Sequence, residues 1–344
     1  MKDWEPYPGV LEIGQRYKVT AFIRSYLLLG KRFARPPEDV QPSLFSYKEK
    51  PFRPLEAGDI PLVTQIRNAR RYLPSFLEHY RNLGVTRFIF VDDRSSDGSL
   101  EYLETVEDAD LYQSRLSYME SNRGILFKEE VVRTYGRNRW WVFVDIDEYL
   151  VYDGIEKHGL RDVIHALEKR RLTRLLAPLL DMYPTGNIQH AHFDGSDSKM
   201  PWEVASAFDR SGYFIRFRGK DWEIRGGVRY RVFGNWVELA KYPLMYVVDG
   251  DYFRSIHYPR PYYGNSTPVL GNLLHFKFFD DYEKFIRTAA QEGRYFEGAK
   301  HYKVALDRIE QGDMEFYQTD ISEEFSGPQQ LRELGFFKSL FYDE

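Results

Sequence analysis

Three carboxylates follow one strongly apolar stretch of the chain, and their types and spacing suit metal chemistry. Asp145, Asp147 and Glu148 come directly after the apolar run 140–144. A continuous apolar run of strand length is typical of a strand buried on both faces of a parallel sheet. Because an unpaired acid is costly to bury, we expect the acids where that strand leaves the core. Two aspartates one residue apart then offer oxygen ligands to a divalent cation, although a solvated turn or a helix N-terminus is the alternative.

A second pair of acids follows another apolar strand. Asp92 and Asp93 come directly after the predicted strand 87–91, which is preceded by a predicted strand at 60–66 and a helix that begins near Pro74. This strand–helix–strand order predicts a right-handed crossover and a parallel sheet. The carboxyl ends of parallel strands lie at one edge, where ligands bind in open α/β sheets. We therefore expect both acidic pairs to face one crevice.

Composition limits the classes of partner and compartment. The 344 residues carry 48 Lys and Arg against 52 Asp and Glu, a net charge of −4, which gives no electrostatic case for nucleic acid. The absence of cysteine excludes disulfides, zinc–thiolate sites and a cysteine nucleophile. We find no secretory signal and no apolar run of membrane-spanning length, and so predict a cytoplasmic protein. The basic and apolar segment 21–35 suits contact with the inner face of a membrane, with packing against the main domain as the alternative that its irregular pattern favours.

The rest of the chain predicts further helices and short strands around a polar region. We expect a short strand near 111–114, helices at 122–135 and 160–171, and a strand at 175–182 that contains Pro178. A polar region at 183–221 resembles an insertion for substrate binding. Downstream we expect strands at 228–233, 242–248 and 273–278, helices at 280–290 and 300–309, and a loosely packed tail from about residue 316.

Taken together, the two acidic stretches resemble a known family of enzymes. The first stretch runs from Arg67-Asn68 to Asp92-Asp93-Arg94-Ser95-Ser96-Asp97-Gly98, and the second is the run 141–150 with its Asp-x-Asp motif. Over about residues 58–290 they resemble the family-2-type GT-A glycosyltransferases, and most closely the bacterial branch related to glycosyltransferase family 92. The resemblance implies an α/β fold with a mostly parallel, Rossmann-like central sheet flanked by helices. It also implies an N-terminal extension at 1–57, an acceptor-side insertion at 183–225 and a C-terminal helical tail at 291–344.

The resemblance also implies an activity. It is a hexosyltransferase-type transfer, dependent on Mn²⁺ or Mg²⁺, from a nucleotide-sugar donor (a UDP-sugar in the first instance) to a hydroxyl of a glycan or glycolipid acceptor. The inverting outcome and a place in bacterial surface polysaccharide or lipopolysaccharide synthesis follow from the resemblance alone.

Carried over residue by residue, the resemblance gives individual roles. The nucleotide would contact Arg67, Asn68, Asp92, Asp93 and Asp145, with Asp92 at the base and Asp145 at the ribose or metal. Metal ligands would be Asp145, Asp147 and the late histidine His275. Gly226 and Gly227 would let the backbone approach the donor sugar, with an ordinary hairpin turn as the alternative. For His275, as for His257, the alternative is a hydrogen-bonded core histidine.

The sequence does not single out one carboxylate as the general base of the transfer. Inverting transfer needs a carboxylate to accept the proton of the acceptor hydroxyl, and the chain departs from the family pattern because no Glu-Asp pair opens a helix after the glycines. Asp181, Glu223 and Asp251 are the candidates, each with a solvated surface acid as the alternative.

Two other functions fit parts of the pattern. A metal-dependent sugar nucleotidyltransferase uses similar carboxylates, but it needs a glycine-rich loop for a triphosphate, and residues 65–71 contain no glycine. A non-catalytic sugar-binding protein on the same fold would have no need of the pair Asp145 and Asp147.

Overall fold

A seven-stranded mixed sheet forms the centre of the part of the chain that the structure describes. This computed structural model describes residues 3–9, 42–196, 199–218, 221–292, 304–307 and 315–341. In spatial order the strands are β2 (Leu44–Ser46), β5 (Ala109–Ser114), β4 (Arg87–Asp92), β3 (Pro61–Ile66), β6 (Arg139–Phe143), β13 (Leu244–Val247) and β8 (Arg174–Leu175). Strands β5, β4, β3 and β6 are parallel neighbours, whereas β2 and β13 run antiparallel to theirs. The strands predicted at 60–66, 87–91, 111–114, 140–144 and 242–248 are confirmed.

A smaller sheet begins where the large one ends. It contains β7 (Glu148–Val151), β16 (Asn272–Phe276) and β9 (Leu179–Met182), with β16 antiparallel to β7 and parallel to β9. The chain passes from β6 in the large sheet to β7 in the small one through Val144–Asp147, so the Asp-x-Asp motif lies at the junction of the two sheets. The single strand predicted at 175–182 is wrong: β8 and β9 belong to different sheets and are separated around Pro178, which cannot donate a ladder hydrogen bond.

The region predicted as a weakly periodic insertion contains strands. In it lie β10 (Ala207–Asp209), β11 (Tyr213–Phe217) and β12 (Trp222–Gly226). Strand β11 pairs with β12 and also with β1 (Glu5–Tyr7), and β10 pairs with β17 (Ser322–Glu324) near the other end of the chain. A short ribbon of β14 (Tyr252–Phe253) and β15 (Pro259–Arg260) completes the pairings.

Seven helices have defined bounds in the described ranges. They are α1 (Leu73–Asn82), α2 (Ser99–Glu104), α3 (Ile125–Tyr135), α4 (Leu160–Lys169), α5 (Val228–Phe233), α6 (Tyr282–Glu292) and α7 (Pro328–Glu333), and residues 304–307 are also helical. Helices α1, α3, α4 and α6 confirm the predictions for their segments. The strand predicted at 228–233 is wrong, because this segment forms helix α5 between Gly227 and Gly234, and Gly234 takes the left-handed conformation (φ 69°) that ends a helix.

The central strands are buried on both faces, as their apolar runs predicted. On β4, Phe88 and Phe90 join the core that contains Phe76 of α1, whereas Ile89 joins the opposite core with Phe127 of α3. This division follows from the alternation of side chains along a strand. Helices therefore cover both faces of the sheet and leave its carboxyl edge open for the site.

The C-terminal segment is packed, contrary to the loosely packed tail predicted from the sequence. Leu331, Phe336, Phe337 and Leu340 are buried in the main core. Segment 21–35, a candidate for membrane contact, lies outside the described residues. Among the helices within the described ranges, none combines the length and apolar character needed to cross a bilayer.

Candidate active site

Glu148, His275 and Asp181 form one row across the small sheet. His275 on β16 lies opposite Glu148 on β7 and Asp181 on β9 in the strand register. Residues directly opposite each other on neighbouring strands point to the same face, and the flanking Leu274 and Phe276 point to the other. All three side chains of the row are buried. The fold thus brings together three polar groups that are far apart in the sequence.

Asp181 fixes the orientation and tautomer of His275. The Nδ1 of His275 lies 2.5 Å from Oδ1 of Asp181. Because an ionised carboxylate only accepts hydrogen bonds, Nδ1–H is the donor and Nε2 keeps a free lone pair. That Nε2 is 3.6 Å from Oδ2 of Asp147, too far for a good hydrogen bond. Burial lowers the pKa of His275, and Lys277 acts in the same direction, so the ring is neutral and suited to ligate a metal.

Asp147, Glu148 and His275 form a candidate metal centre. Each offers a ligand atom, and these atoms lie within 4.8 Å of one another. A metal-ligating histidine usually donates its other ring N–H to a carboxylate, and Asp181 supplies that partner. The residues present therefore fit a divalent cation. Asp147 and His275 were predicted as ligands; Glu148 was not, although it follows the Asp-x-Asp motif directly.

Asp145 occupies a different position from the one predicted for a metal ligand. Its Oδ2 accepts a hydrogen bond from Nζ of Lys241 at 2.6 Å, and Lys241 also donates to Glu148. Desolvation alone would raise the pKa of Asp145, but the ammonium groups of Lys241 and Lys128 outweigh it and hold this pKa well below the usual range. Lys241 thus bridges Asp145 to Glu148, and Asp145 lies outside the cluster of Asp147, Glu148 and His275. Its role as a metal ligand stays a prediction. Sequence reasoning missed Lys241, whose only signal is a lone charge in the apolar run 239–245.

A cavity of about 660 Å³ opens at the carboxyl edge of the large sheet, at Asp145, which is two residues along the chain from Asp147. Asp93 after β4 and Asp145 after β6 both line it, so the predicted crevice between the two strand ends is present. The charged side chains along its wall include four cations: Arg67, Arg94, Arg123 and Lys128. This excess of cations over the two acids favours an anionic ligand.

The other predicted nucleotide residues support the loop that follows β4. Asp92 is buried and accepts a hydrogen bond from the backbone N–H of Ser95 at 3.2 Å. Asn68 accepts one from the N–H of Ser96 through Oδ1 at 2.8 Å, and its own N–H donates to Ser95 Oγ. Arg67 and Asp93 face the cavity, with Nη1 of Arg67 4.0 Å from Oδ2 of Asp93. Direct contact of Asp92 or Asn68 with a nucleotide stays a prediction.

Each of the three base candidates lies beside an arginine, and which of them acts as the base stays a prediction. Asp181 binds Arg229 Nε at 2.7 Å as well as His275. Glu223 pairs with Arg216 at 2.8 Å, and Asp251 lies 3.6 Å from Arg174. Burial raises the pKa of Asp251, yet neither Glu223 nor Asp251 is among the described residues that line the cavity or form the metal cluster. The sequence did not reveal these arginine partners, because each lies on another segment of the chain.

Gly226 and Gly227 are required by close packing. A Cβ at Gly226 would lie 2.3 Å from the carbonyl oxygen of Gly212, and one at Gly227 would lie 2.3 Å from the ring of Tyr213. Their φ angles of 113° and 68° also favour glycine. The pair links β12 to α5, so the hairpin alternative is wrong, and the close approach that the structure shows is to β11.

His257 is half-buried and hydrogen-bonded, so it matches the alternative of a hydrogen-bonded histidine without lying fully in the core. Its Nδ1–H donates to the carbonyl of Ala240 at 2.9 Å. Burial, together with nearby Lys241, lowers the pKa of His257 to about 3, so its ring is neutral.

Comparison with known proteins adds one line of support. No protein-family model matches the chain. A glycosyltransferase family 92 protein of rice (Oryza sativa subsp. japonica) is 27% identical over 160 residues, which is 46% of this chain. The match spans 27% of the rice protein's length. It supports a relationship to the glycosyltransferases.

Proposed function

We propose that the protein is a metal-dependent glycosyltransferase that moves a sugar from a nucleotide-sugar donor, in the first instance a UDP-sugar, to a hydroxyl of a glycan or glycolipid. One observation carries the proposal: Asp181 holds His275 with its free Nε2 towards Asp147, and Asp145, two residues before Asp147, lines a cavity whose wall is rich in cations. Such a site suits a ligand that brings phosphates to a divalent metal. The similarity to the rice family 92 protein supports the same class.

The sheet order supports a GT-A type of fold for this activity. The four parallel neighbours β5-β4-β3-β6 follow the strand permutation of the first four strands of a dinucleotide-binding sheet. In such sheets the ligand binds outside the carboxyl ends of the strands, where the cavity lies.

Asp147, Glu148 and His275 would hold the metal. One imidazole nitrogen among carboxylate oxygens suits Mn²⁺ better than Mg²⁺, because Mg²⁺ prefers an all-oxygen shell. When bound, the metal supplies Lewis-acid neutralisation of the charge that develops on the leaving diphosphate.

The chain's own residues would bind and orient the substrates. In the transfer the acceptor oxygen bonds to the anomeric carbon, the bond from that carbon to the diphosphate breaks, and the hydroxyl proton passes to a base or to solvent. We extend the proposal to an inverting hexosyl transfer in bacterial surface polysaccharide or lipopolysaccharide synthesis on the strength of the resemblance. Asp181 is less suited to be the base, because its carboxylate already accepts hydrogen bonds from Arg229 and His275.

Calorimetric titration of UDP and GDP, with and without Mn²⁺, tests the proposal. We expect nucleotide binding that requires Mn²⁺ and that weakens by about tenfold or more in Asp147→Asn, which removes a charged ligand without changing side-chain size. Asp249→Asn is the matched control, since Asp249 is exposed in the turn after β13. The same variants should be compared for release of UDP from UDP-sugars. Affinities that are equal with and without Mn²⁺ would contradict the proposal.

A further inference from the structure

Lys128 is a buried cation without a carboxylate partner. It lies in the first turn of α3, its residue is only 6% exposed, and it lines the cavity. Within the described ranges no carboxylate oxygen comes within the 4.0 Å of an ion pair with its ammonium group. The aromatic ring of Phe253 lies 6.0 Å away, which gives a weak cation–π contact.

The nearby acids are engaged with other groups. Glu129 accepts from the N–H of Phe253 at 2.7 Å, and Glu130 accepts from the N–H and the hydroxyl of Ser43. Asp145, the carboxylate that shares the cavity wall with Lys128, is already bonded to Lys241. Each of these three acids near Lys128 therefore accepts hydrogen bonds from groups other than Lys128.

This arrangement is costly for the free protein. Burial removes the hydration of the Lys128 ammonium group, and Asp145 favours its charged form only from beyond ion-pair distance, so the compensation is partial. A cation in the first turn of a helix also faces the positive end of the helix dipole. Burial accordingly lowers the pKa of Lys128. An anion bound in the cavity would offset both effects, because it would supply a negative charge within ion-pair distance of Lys128.

We propose that Lys128 is a binding residue for the diphosphate of the donor and supplies the cavity's buried contact to a phosphate oxygen. Naming the anion as the donor's diphosphate rests on the proposed function, whereas the need for an anion rests on Lys128 itself. The other cations of the wall, Arg67 and Arg123 among them, add to the positive potential that attracts the ligand.

The test compares Lys128→Met with wild type in titrations of UDP, inorganic pyrophosphate and uridine at fixed ionic strength. We expect Lys128→Met to bind UDP and pyrophosphate about tenfold or more weakly, since a hydrogen bond to a charged group is lost, and to bind uridine as wild type does. Lys169→Met, an exposed lysine on α4, is the control and should change neither.

Thermal unfolding without ligand separates this role from a structural one. Lys128→Met should melt at the same temperature as wild type or higher, because it removes a buried charge that has no ion-pair partner. Should that variant fail to fold, Lys128→Gln, which keeps a polar end, replaces it in the same titrations.

The outcomes distinguish the inference from the proposed function. Unchanged UDP and pyrophosphate affinity in the folded variant overturns the inference and leaves the transferase proposal standing. Pyrophosphate binding that depends on Lys128, without Mn²⁺-dependent binding of UDP or GDP, supports the anion site and contradicts the transferase. Wild type that binds neither pyrophosphate nor UDP overturns the inference.

Discussion

The pair of Asp181 and His275 shows how one carboxylate determines what a histidine can do. Burial alone would raise the pKa of Asp181, but Arg229 and His275 outweigh it and hold that pKa well below the usual range. Asp181 therefore stays ionised and remains an acceptor for Nδ1–H of His275. A group with so low a pKa is a poor base, so under the proposed function Asp181 would act by orienting His275.

At the scale of single residues, Asp181→Asn tests whether Asp181 orients His275 for metal binding. We expect Mn²⁺ affinity to fall by about 10–100-fold, as is typical when the partner of a ligating histidine is altered. The amide cannot stabilise the imidazole as a carboxylate does and can present an N–H to it instead. Electron paramagnetic resonance of free Mn²⁺ measures the change.

Glu223→Gln is the control for that experiment, since Glu223 is another base candidate with a paired arginine and lies outside the candidate metal cluster. It should keep the wild-type Mn²⁺ affinity. If Asp181→Asn lost turnover while its Mn²⁺ affinity stayed at the wild-type value, Asp181 would be the base after all and the positioning role would be wrong.

At the scale of elements, the transition from β6 to β7 creates the site. Continuous apolar runs were enough to predict β3, β4 and β6, because a strand buried on both faces has apolar residues at nearly every position. Nothing local tells which sheet β7 joins. Glu148 joins the candidate metal cluster because β7 pairs with β16, which carries His275. The spacing of the acids alone could not predict this.

Helix α5 shows a second limit of local pattern. Its sequence alternates Val228, Tyr230 and Val232 with two arginines, which is the period of a strand. The arginines reach buried acids on other strands: Arg229 binds Asp181, and Arg231 binds Asp209. These long-range ion pairs, together with the flanking glycines, favour the helix, and none of them is visible in a short window of sequence.

The glycines before α5 give a prediction at this scale. Gly226→Ala should lower the free energy of unfolding by about 1–3 kcal/mol, because its Cβ would lie 2.3 Å from a backbone oxygen at a positive φ. UDP affinity of the folded protein should not change. Urea unfolding followed by tryptophan fluorescence, with a parallel UDP titration, measures both.

Gly186→Ala is the matched control, since a Cβ there meets nothing within 4 Å. It should leave stability close to wild type. A loss of UDP-sugar affinity in Gly226→Ala at wild-type stability would instead favour the contact with the donor sugar that the resemblance implied.

At the scale of the whole molecule, the two ends of the described chain share one core. Tyr7 of β1 donates a hydrogen bond to the carbonyl of Phe336, and their rings lie 5.6 Å apart. Both belong to the main hydrophobic cluster that contains Phe76 and Phe88. The described parts of the three segments predicted as 1–57, 58–290 and 291–344 therefore pack together. The sequence could not show this, because the C-terminal apolar residues are few and irregularly spaced.

Phe337→Ala tests that conclusion. Phe337 is fully buried, so truncation should lower the free energy of unfolding by about 3–5 kcal/mol, the usual effect of removing a buried phenylalanine ring. Phe52→Ala, at a residue that is 51% exposed, should cost far less. Because Phe337 is not among the described residues that line the cavity, UDP affinity of the folded fraction should match wild type. If both variants lost equally little free energy of unfolding, the prediction of a loosely packed tail would be right. The C-terminal segment would then not belong to the core that supports the small sheet and its candidate metal cluster.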